Sequence, residues 1–165
     1  MLAAFQSRGL RDHYAAFVVL IDTGMRPSEL WRLKQKDVDL EHGLISIWQA
    51  KGNKPRSLPM TDRVVKTLRD RPCELVSGRL FPFYNRWFWT GWKQAQKDIG
   101  LVHDKSFIPY CLRHTCASRL IQRGATLASV QVWLGHRNIQ TTLRYAHLKP
   151  DNLVDAMQLL QRKAV

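Results

Sequence analysis

Between residues 37 and 60 the apolar residues alternate in twos, whereas on either side they recur at intervals of three and four. This change of period most limits the fold. Val38 with Leu40, Ile45 with Ile47 and Leu58 with Met60 each place two apolar side chains on one face of an extended segment. The breaks Glu-His-Gly at 41–43 and Lys-Gly-Asn-Lys at 51–54 divide the region into an antiparallel meander of three strands. Helical spacing elsewhere makes the chain α+β and mostly helical, with one small sheet. Its 165 residues suit one domain, and 45% hydrophobic residues can bury a proper core. No Pro/Gly/Ser-rich linker or internal repeat divides it, so 1–165 reads as a single unit.

The helical segments follow in order. Over 11–23, Tyr14, Phe17, Val18 and Ile21 share an inward face, and Gly24 ends the helix. Ser28 is the expected cap of the next helix, ahead of Glu29, Leu30 and Leu33. Val64, Val65 and Leu68 mark a helix over 61–70, which Arg71-Pro72 breaks. In the segment 85–99, Trp87, Phe88, Trp89 and Trp92 stand among basic residues and could stack on bases. Their spacing, continued by Ala95 and Ile99 up to Gly100, favours a core role instead. Leu112, Cys116 and Leu120 define the inner face of another helix, with Tyr110 and Arg113 sharing a different face. Leu127, Val130 and Leu134 precede Gly135, a C-terminal cap that projects His136. Asn138 then caps a helix with the inner stripe Ile139, Thr142, Leu143 and Ala146, which leaves Tyr145 presented rather than buried. Pro150 opens a final helix whose narrow face of Leu153, Met157 and Leu160 suits a contact between protomers.

Charge narrows the partners. Lys and Arg number 26 against 13 acidic residues, a formal +13 with a pI near 10.2. Such a surface attracts polyanions, because each neutralised phosphate releases condensed counterions. Cys73, Cys111 and Cys116 form no CxxC pair and cannot all pair internally, so they read as free thiols in a reducing cytosol. The sequence has no signal peptide and no apolar run of membrane-spanning length, and the expectation is a soluble cytoplasmic protein without a membrane partner.

Cleaving DNA with side chains alone sets three requirements. Charge on the transition state must be neutralised, a nucleophile must attack in line, and the 5′-oxygen must leave with a proton. Guanidinium forks suit the first, a tyrosine the second, and a lysine or histidine the third. Arg26, in the tight connection Thr-Gly-Met-Arg-Pro-Ser-Glu-Leu (23–30), Lys51 at the hairpin tip, Arg113, His136 and Tyr145 supply this set. Lys54 shares the hairpin tip, and such lysines are either solvated charges or mobile ammonium groups reaching a site. Arg119 and Arg123, four apart, form a phosphate-contacting ridge or a plain solvated one. There is no HExxH, no zinc-type Cys/His spacing, no P-loop and no GxGxxG, so neither metal nor cofactor is expected.

The stretches Thr-Gly-Met-Arg-Pro-Ser-Glu-Leu, Lys-Gly-Asn-Lys before Arg-Ser-Leu-Pro, Leu-Arg-His-Thr, Leu-Gly-His and Thr-Thr-Leu-Arg-Tyr-Ala-His stand in the order found in tyrosine recombinases. Over about residues 10–160 the chain resembles the catalytic domain of that phage integrase family. The resemblance implies that Arg26 and Arg113 grip the scissile phosphate and that Lys51 protonates the departing 5′-hydroxyl. His136 would hydrogen-bond the phosphate, and Tyr145 would attack to leave a 3′-phosphotyrosine. It further implies site-specific recombination of double-stranded DNA by a tetramer on synapsed sites and a monomer otherwise, without metal or ATP.

Two features depart from the family pattern. The family most often carries histidine three residues before the second arginine, where this chain has Tyr110, a phenol that can donate to phosphate but does not titrate near neutrality as imidazole does. His114 does not obviously replace it, pointing about 100° from Arg113 around a helix. Such enzymes also carry an N-terminal core-binding domain, so 1–165 is expected to be the catalytic part of a longer protein. Two other readings compete: a type IB topoisomerase-like relaxation of one strand, and a DNA-binding or assembly module impaired in catalysis.

Overall fold

Helix α1, Arg11–Thr23, carries the longest apolar run and lies at the centre of the molecule. The computed structural model describes residues 2, 11–48, 55–69, 71, 77–81 and 85–148, with 85 and 86 described by backbone alone. The single inward face expected for α1 is too narrow a description. Ala15 through Ile21 are all buried, because other helices pack on several sides. A helix apolar all round belongs inside a core, and Ala15 and Ala16 allow close approach.

Gly24 ends α1 at φ +63°, donating its N–H to Leu20 O at 3.0 Å. The next helix, α2 (Pro27–Leu30), is one turn long. Its cap is Arg26 rather than the expected Ser28. Pro27 takes the first helical position, where a fixed φ and a missing N–H cost nothing, and this moves the cap back to residue 26. Glu29 Oε2 then reaches back to accept the Arg26 backbone N–H at 2.8 Å.

The three-stranded antiparallel meander is present as expected. It consists of β1 (Val38–Asp39), β2 (Leu44–Ile47) and β3 (Arg56–Pro59) in that spatial order. Ile45 pairs with both Val38 and Leu58, so the buried side chains Ile45, Ile47 and Leu58 fall on one face. The hairpin tip with Lys51 and Lys54 lies outside the described residues.

Helix α3 (Asp62–Arg69) buries Val64 and Leu68 and half-buries Val65. In α4 (Asn85–Asp98), Phe88, Trp92 and Ala95 are core residues as expected. Phe17 meets the edges of Phe88 and Trp92 at 5.3 and 5.7 Å between ring centroids. Trp89 instead lies at the surface, and Trp87 stacks on His13 at 3.8 Å. Gly91 makes that stack possible, since a Cβ there would stand 1.9 Å from His13 Cδ2.

Helix α5 (Tyr110–Gln122) buries Leu112 and Cys116, with Leu120 half-buried. Its Ala117 and Ile121 turn to a second, smaller apolar cluster, shared with Val130 and Leu134 of α6 (Leu127–Leu134) and with Tyr145. Trp133 packs against both clusters. Gly135 closes α6 in the left-handed region at φ +68°.

Beyond it the expected stripe fails. Helix α7 (Gln140–Leu143) is a single turn, led by Asn138 Oδ1 accepting the Gln140 N–H at 2.9 Å. Ile139 and Leu143 are exposed, Ala146 is half-buried, and of the four stripe residues Thr142 alone is buried. Tyr145, expected at the surface, is 5% exposed. The cause is local winding. The Tyr145 N–H bonds Thr142 O at 3.0 Å, three residues back rather than four, and a 3₁₀ turn follows at Ala146–Leu148. At three residues per turn, positions 142 and 145 eclipse and both face inward. Pro150 and the helix expected beyond it lie outside the described residues.

Candidate active site

Arg113 is the tie of the site. From α5 its Nη1 donates to Gly24 O and its Nη2 to Leu134 O, each at 2.7 Å. One side chain thus joins the loop after α1, which carries Arg26, to the end of α6, which carries His136. The two backbones are already close: a Cβ on Gly24 would stand 2.7 Å from Leu134 Cδ2. Arg113 is 2% exposed, and burial, followed by Arg26, pushes its guanidinium down to about 10, still charged at neutral pH. Two of its five N–H donors are committed to the carbonyls, which leaves others for an oxyanion.

Arg26 sits between Thr23 and Pro27, as its place in the sequence implied. Its Nη1 donates to Glu29 Oε1 at 2.9 Å, and the Tyr110 side chain contacts the same guanidinium. Burial opposes the charge on Arg26, but Glu29 and Tyr110 outweigh it and hold the guanidinium above its ordinary value. Glu29 also binds Arg56 of β3 through Nη1 at 3.2 Å and Nη2 at 2.9 Å. Arg56 Nε in turn donates to Trp133 O at 3.1 Å. Burial raises the Glu29 carboxyl, and Arg56, then Arg26, bring it below the usual carboxylate range. Glu29 is therefore a buried anion that sets the position of two cations. Local spacing offered no sign of the Arg56 partnership, because the residues are 27 apart in sequence.

His136 follows the Gly135 cap, with its backbone N–H on Gln131 O at 3.0 Å. Its Nδ1 lies 2.9 Å from Thr142 Oγ1. Burial pushes the imidazole down to about 4, helped by the guanidiniums of Arg113, Arg26, Arg144 and Arg56. The ring is neutral at pH 7, and Nε2 is the nitrogen not engaged by Thr142. The four guanidiniums around this imidazole, two of which pair with Glu29, give positive charge suited to a phosphodiester.

Tyr145 does not project as expected. Its hydroxyl lies 2.6 Å from Nδ1 of His114, and its ring joins the smaller apolar cluster. Burial raises the phenol, with Arg144 and Arg113 opposing. His114 was set aside on sequence because it faces away from Arg113. The structure places it against Tyr145, with Arg113 and Arg144 near enough to act on its charge. Burial, then Arg144 and Arg113, hold His114 below the ordinary imidazole value.

The remaining candidates separate. Tyr110 is 41% exposed at the start of α5. Arg119 and Arg123 are exposed at the far end of that helix. Lys51 and Lys54 fall outside the described residues. Among the described residues no three His, Cys, Asp or Glu side chains gather in a metal-binding group, and no helix is long and apolar enough to cross a membrane.

A largely helical domain thus brings two arginines and a neutral histidine into one positively charged site. The chain belongs to the phage integrase family, whose pattern matches residues 1–152. Among curated relatives it is 35% identical over 159 residues to the tyrosine recombinase XerD of Staphylococcus saprophyticus, covering 88% of this chain and 52% of that protein. The chain spans about half the length of the curated relatives it matches. Its fold is similar to the catalytic domain of bacteriophage HP1 integrase, with TM-score 0.71 and 28% identity, over 88% of this chain and 80% of that one. It is also similar to the Tn1549 transposon integrase solved with circular-intermediate DNA, with TM-score 0.68 and 26% identity over 90% of this chain and 59% of that one.

Proposed function

We propose that residues 1–165 are the catalytic domain of a tyrosine-type site-specific DNA recombinase. The observation that carries this reading is the Arg113 tie, which brings Arg26 and His136 to one positively charged junction. Arg26 and Arg113 neutralise the non-bridging oxygens of the scissile phosphate, and His136 donates through Nε2. Tyr145 attacks phosphorus and the P–O5′ bond breaks, leaving a 3′-phosphotyrosine and a 5′-oxygen that takes a proton from Lys51. Attack by a partner strand's 5′-hydroxyl reverses the step and completes the exchange. Tyr110 is a phosphate-facing donor beside Arg26, while Arg119, Arg123 and Lys54 contact the DNA backbone away from the cut.

The substrate is double-stranded DNA carrying recombination sites, in a cytoplasmic compartment, and the working assembly is a tetramer on synapsed DNA formed from monomers. The +13 charge and the DNA in the Tn1549 integrase structure support the partner. Similarity over 80% of the HP1 catalytic domain supports reading this stretch as one catalytic domain. A core-binding domain N-terminal to it and a protomer contact through residues 151–165 complete the proposal.

A second reading, a DNA-binding module that does not cleave, draws on Tyr110 and on the burial of Tyr145. A suicide substrate separates the two. Duplexes that bind the protein are selected from a random-sequence pool and rebuilt with a nick that traps the covalent product. The recombinase reading expects an adduct that disappears in Tyr145→Phe. Tight binding with no adduct under any condition would leave the binding module.

A further inference from the structure

Phenol attack on phosphorus needs a base. Lys51 serves the leaving oxygen, so the proton on Tyr145 must go elsewhere. Tyr110 offers another phenol. His136 has its Nδ1 engaged by Thr142 and is ringed by Arg113, Arg26, Arg144 and Arg56, which oppose any proton it might accept. His114 touches the reacting atom, with Nδ1 2.6 Å from the Tyr145 hydroxyl oxygen.

We propose that His114 is the general base that takes the proton of Tyr145 during strand cleavage and returns it during rejoining. This rests on the recombinase reading above. In cleavage the phenol O–H bond breaks and its proton moves to His114 Nδ1. The phenol oxygen bonds to phosphorus, and the 5′-oxygen departs with the proton from Lys51. In rejoining a 5′-hydroxyl attacks phosphorus and gives its proton back to Lys51, the P–O(Tyr145) bond breaks, and the phenol oxygen recovers its proton from His114.

The geometry fits this direction of transfer. A neutral imidazole nitrogen is a better acceptor than a phenol oxygen, and a phenol is the better donor, so the hydroxyl donates to Nδ1 and Nε2 carries the ring proton. The groups facing His114 are Tyr145, Tyr110 and the guanidiniums of Arg113 and Arg144. The two guanidiniums disfavour imidazolium while the phosphate is absent. A bound phosphodiester offsets their charge, so the base gains strength when substrate arrives. Burial resists ionisation of the phenol in the same resting state, which limits unproductive attack.

The test uses the selected nicked duplex and follows the rate of adduct formation in wild type, His114→Ala and His114→Gln. Glutamine can hold the phenol by a hydrogen bond but takes no proton near neutrality, so it separates a base from a mere latch. General-base loss predicts that both variants fall by roughly 10²- to 10⁴-fold at pH 7 with DNA binding unchanged. Their rates should climb tenfold per pH unit, where the wild-type rate levels off above the His114 titration. A fluorinated tyrosine at position 145, whose phenol ionises more readily, should restore much of the loss in both variants. A His114→Gln variant as fast as wild type, or no recovery with the fluorinated phenol, overturns the assignment while leaving the recombinase reading intact. Absence of adduct in wild type overturns both.

Discussion

Glu29 and Arg56 are joined by a two-pronged ion pair, with 3.2 and 2.9 Å separations, in which both side chains are almost wholly buried. Because Glu29 also holds Arg26, it is the counter-charge for two guanidiniums at once. Removing one partner from a buried pair costs about 3–5 kcal/mol, mostly through the charge left behind. Glu29→Gln should therefore lower stability by about 3 kcal/mol in chemical denaturation. It should also reduce adduct formation by freeing Arg26, and Arg56→Met should do the first more than the second.

The contact between Gly24 and Leu134 gives a backbone prediction. An alanine at 24 would be strained at φ +63° and would press its Cβ to 2.7 Å from Leu134 Cδ2. Gly24→Ala should cost roughly 2–3 kcal/mol from the combined strain and overpacking. Leu134→Ala in the same chain should recover part of this loss, since it removes the clashing methyl; a double-mutant cycle checks the coupling.

His136 supplies a pH dependence. Its folded value of about 4 lies below that of an exposed imidazole, so between the two the unfolded chain binds more protons. Stability is thus full above about pH 6.5 and declines as pH falls toward 4. After allowance for solvent screening the loss is about 1–2 kcal/mol. His13 and His114 are also depressed and add the same sign, so the comparison of wild type with His136→Asn isolates this ring. In NMR titration, a bound phosphodiester should move the His136 midpoint upward by offsetting the four guanidiniums.

The thiols give a chemical control. Burial pushes Cys111 and Cys116 each up to about 11. Thiolate is the reactive form, so both should alkylate far more slowly than a free thiol at pH 7.5 in the native protein and at ordinary rates in denaturant. Peptide mass mapping after timed iodoacetamide exposure measures this.

Thr142 is expected to act through His136. Thr142→Val keeps the shape and deletes the hydroxyl that meets Nδ1 at 2.9 Å. The cost in stability should be about 1–2 kcal/mol, for a half-buried nitrogen left without its partner. Substrate affinity should change less than the rate of cleavage, because the ring loses its orientation rather than its place.

The sequence disclosed what local rules govern. Period-two spacing located all three strands, and the glycines at 24 and 135 located the loops that present Arg26 and His136. Arg113 was legible as a residue but not as a tie, since its two carbonyl acceptors belong to segments 89 and 21 residues away. Tyr145 was misplaced because a 3.6-residue period was carried through a segment that winds at three. That single tightening moved the phenol from surface to interior and brought it to His114. The Ser28 cap failed for a similarly local reason, the proline in front of it.

Among the described residues there are two apolar clusters of unequal size, and Tyr145 belongs to the lesser one, with Ala117, Ile121, Val130 and Leu134. Arg26 and Arg56, by contrast, stand at α2 and β3, which pack into the larger one, while Arg113 also bonds the carbonyl of Leu134 in the smaller one. Opening free energies within a protein scale with the apolar contacts that must be broken. On the recombinase reading, Tyr145 thus rests on the cluster whose opening breaks fewer apolar contacts. In the proposed reaction the tyrosine is offered to DNA, held covalently and then taken back, and it rests on the part of the fold with the lower threshold for release.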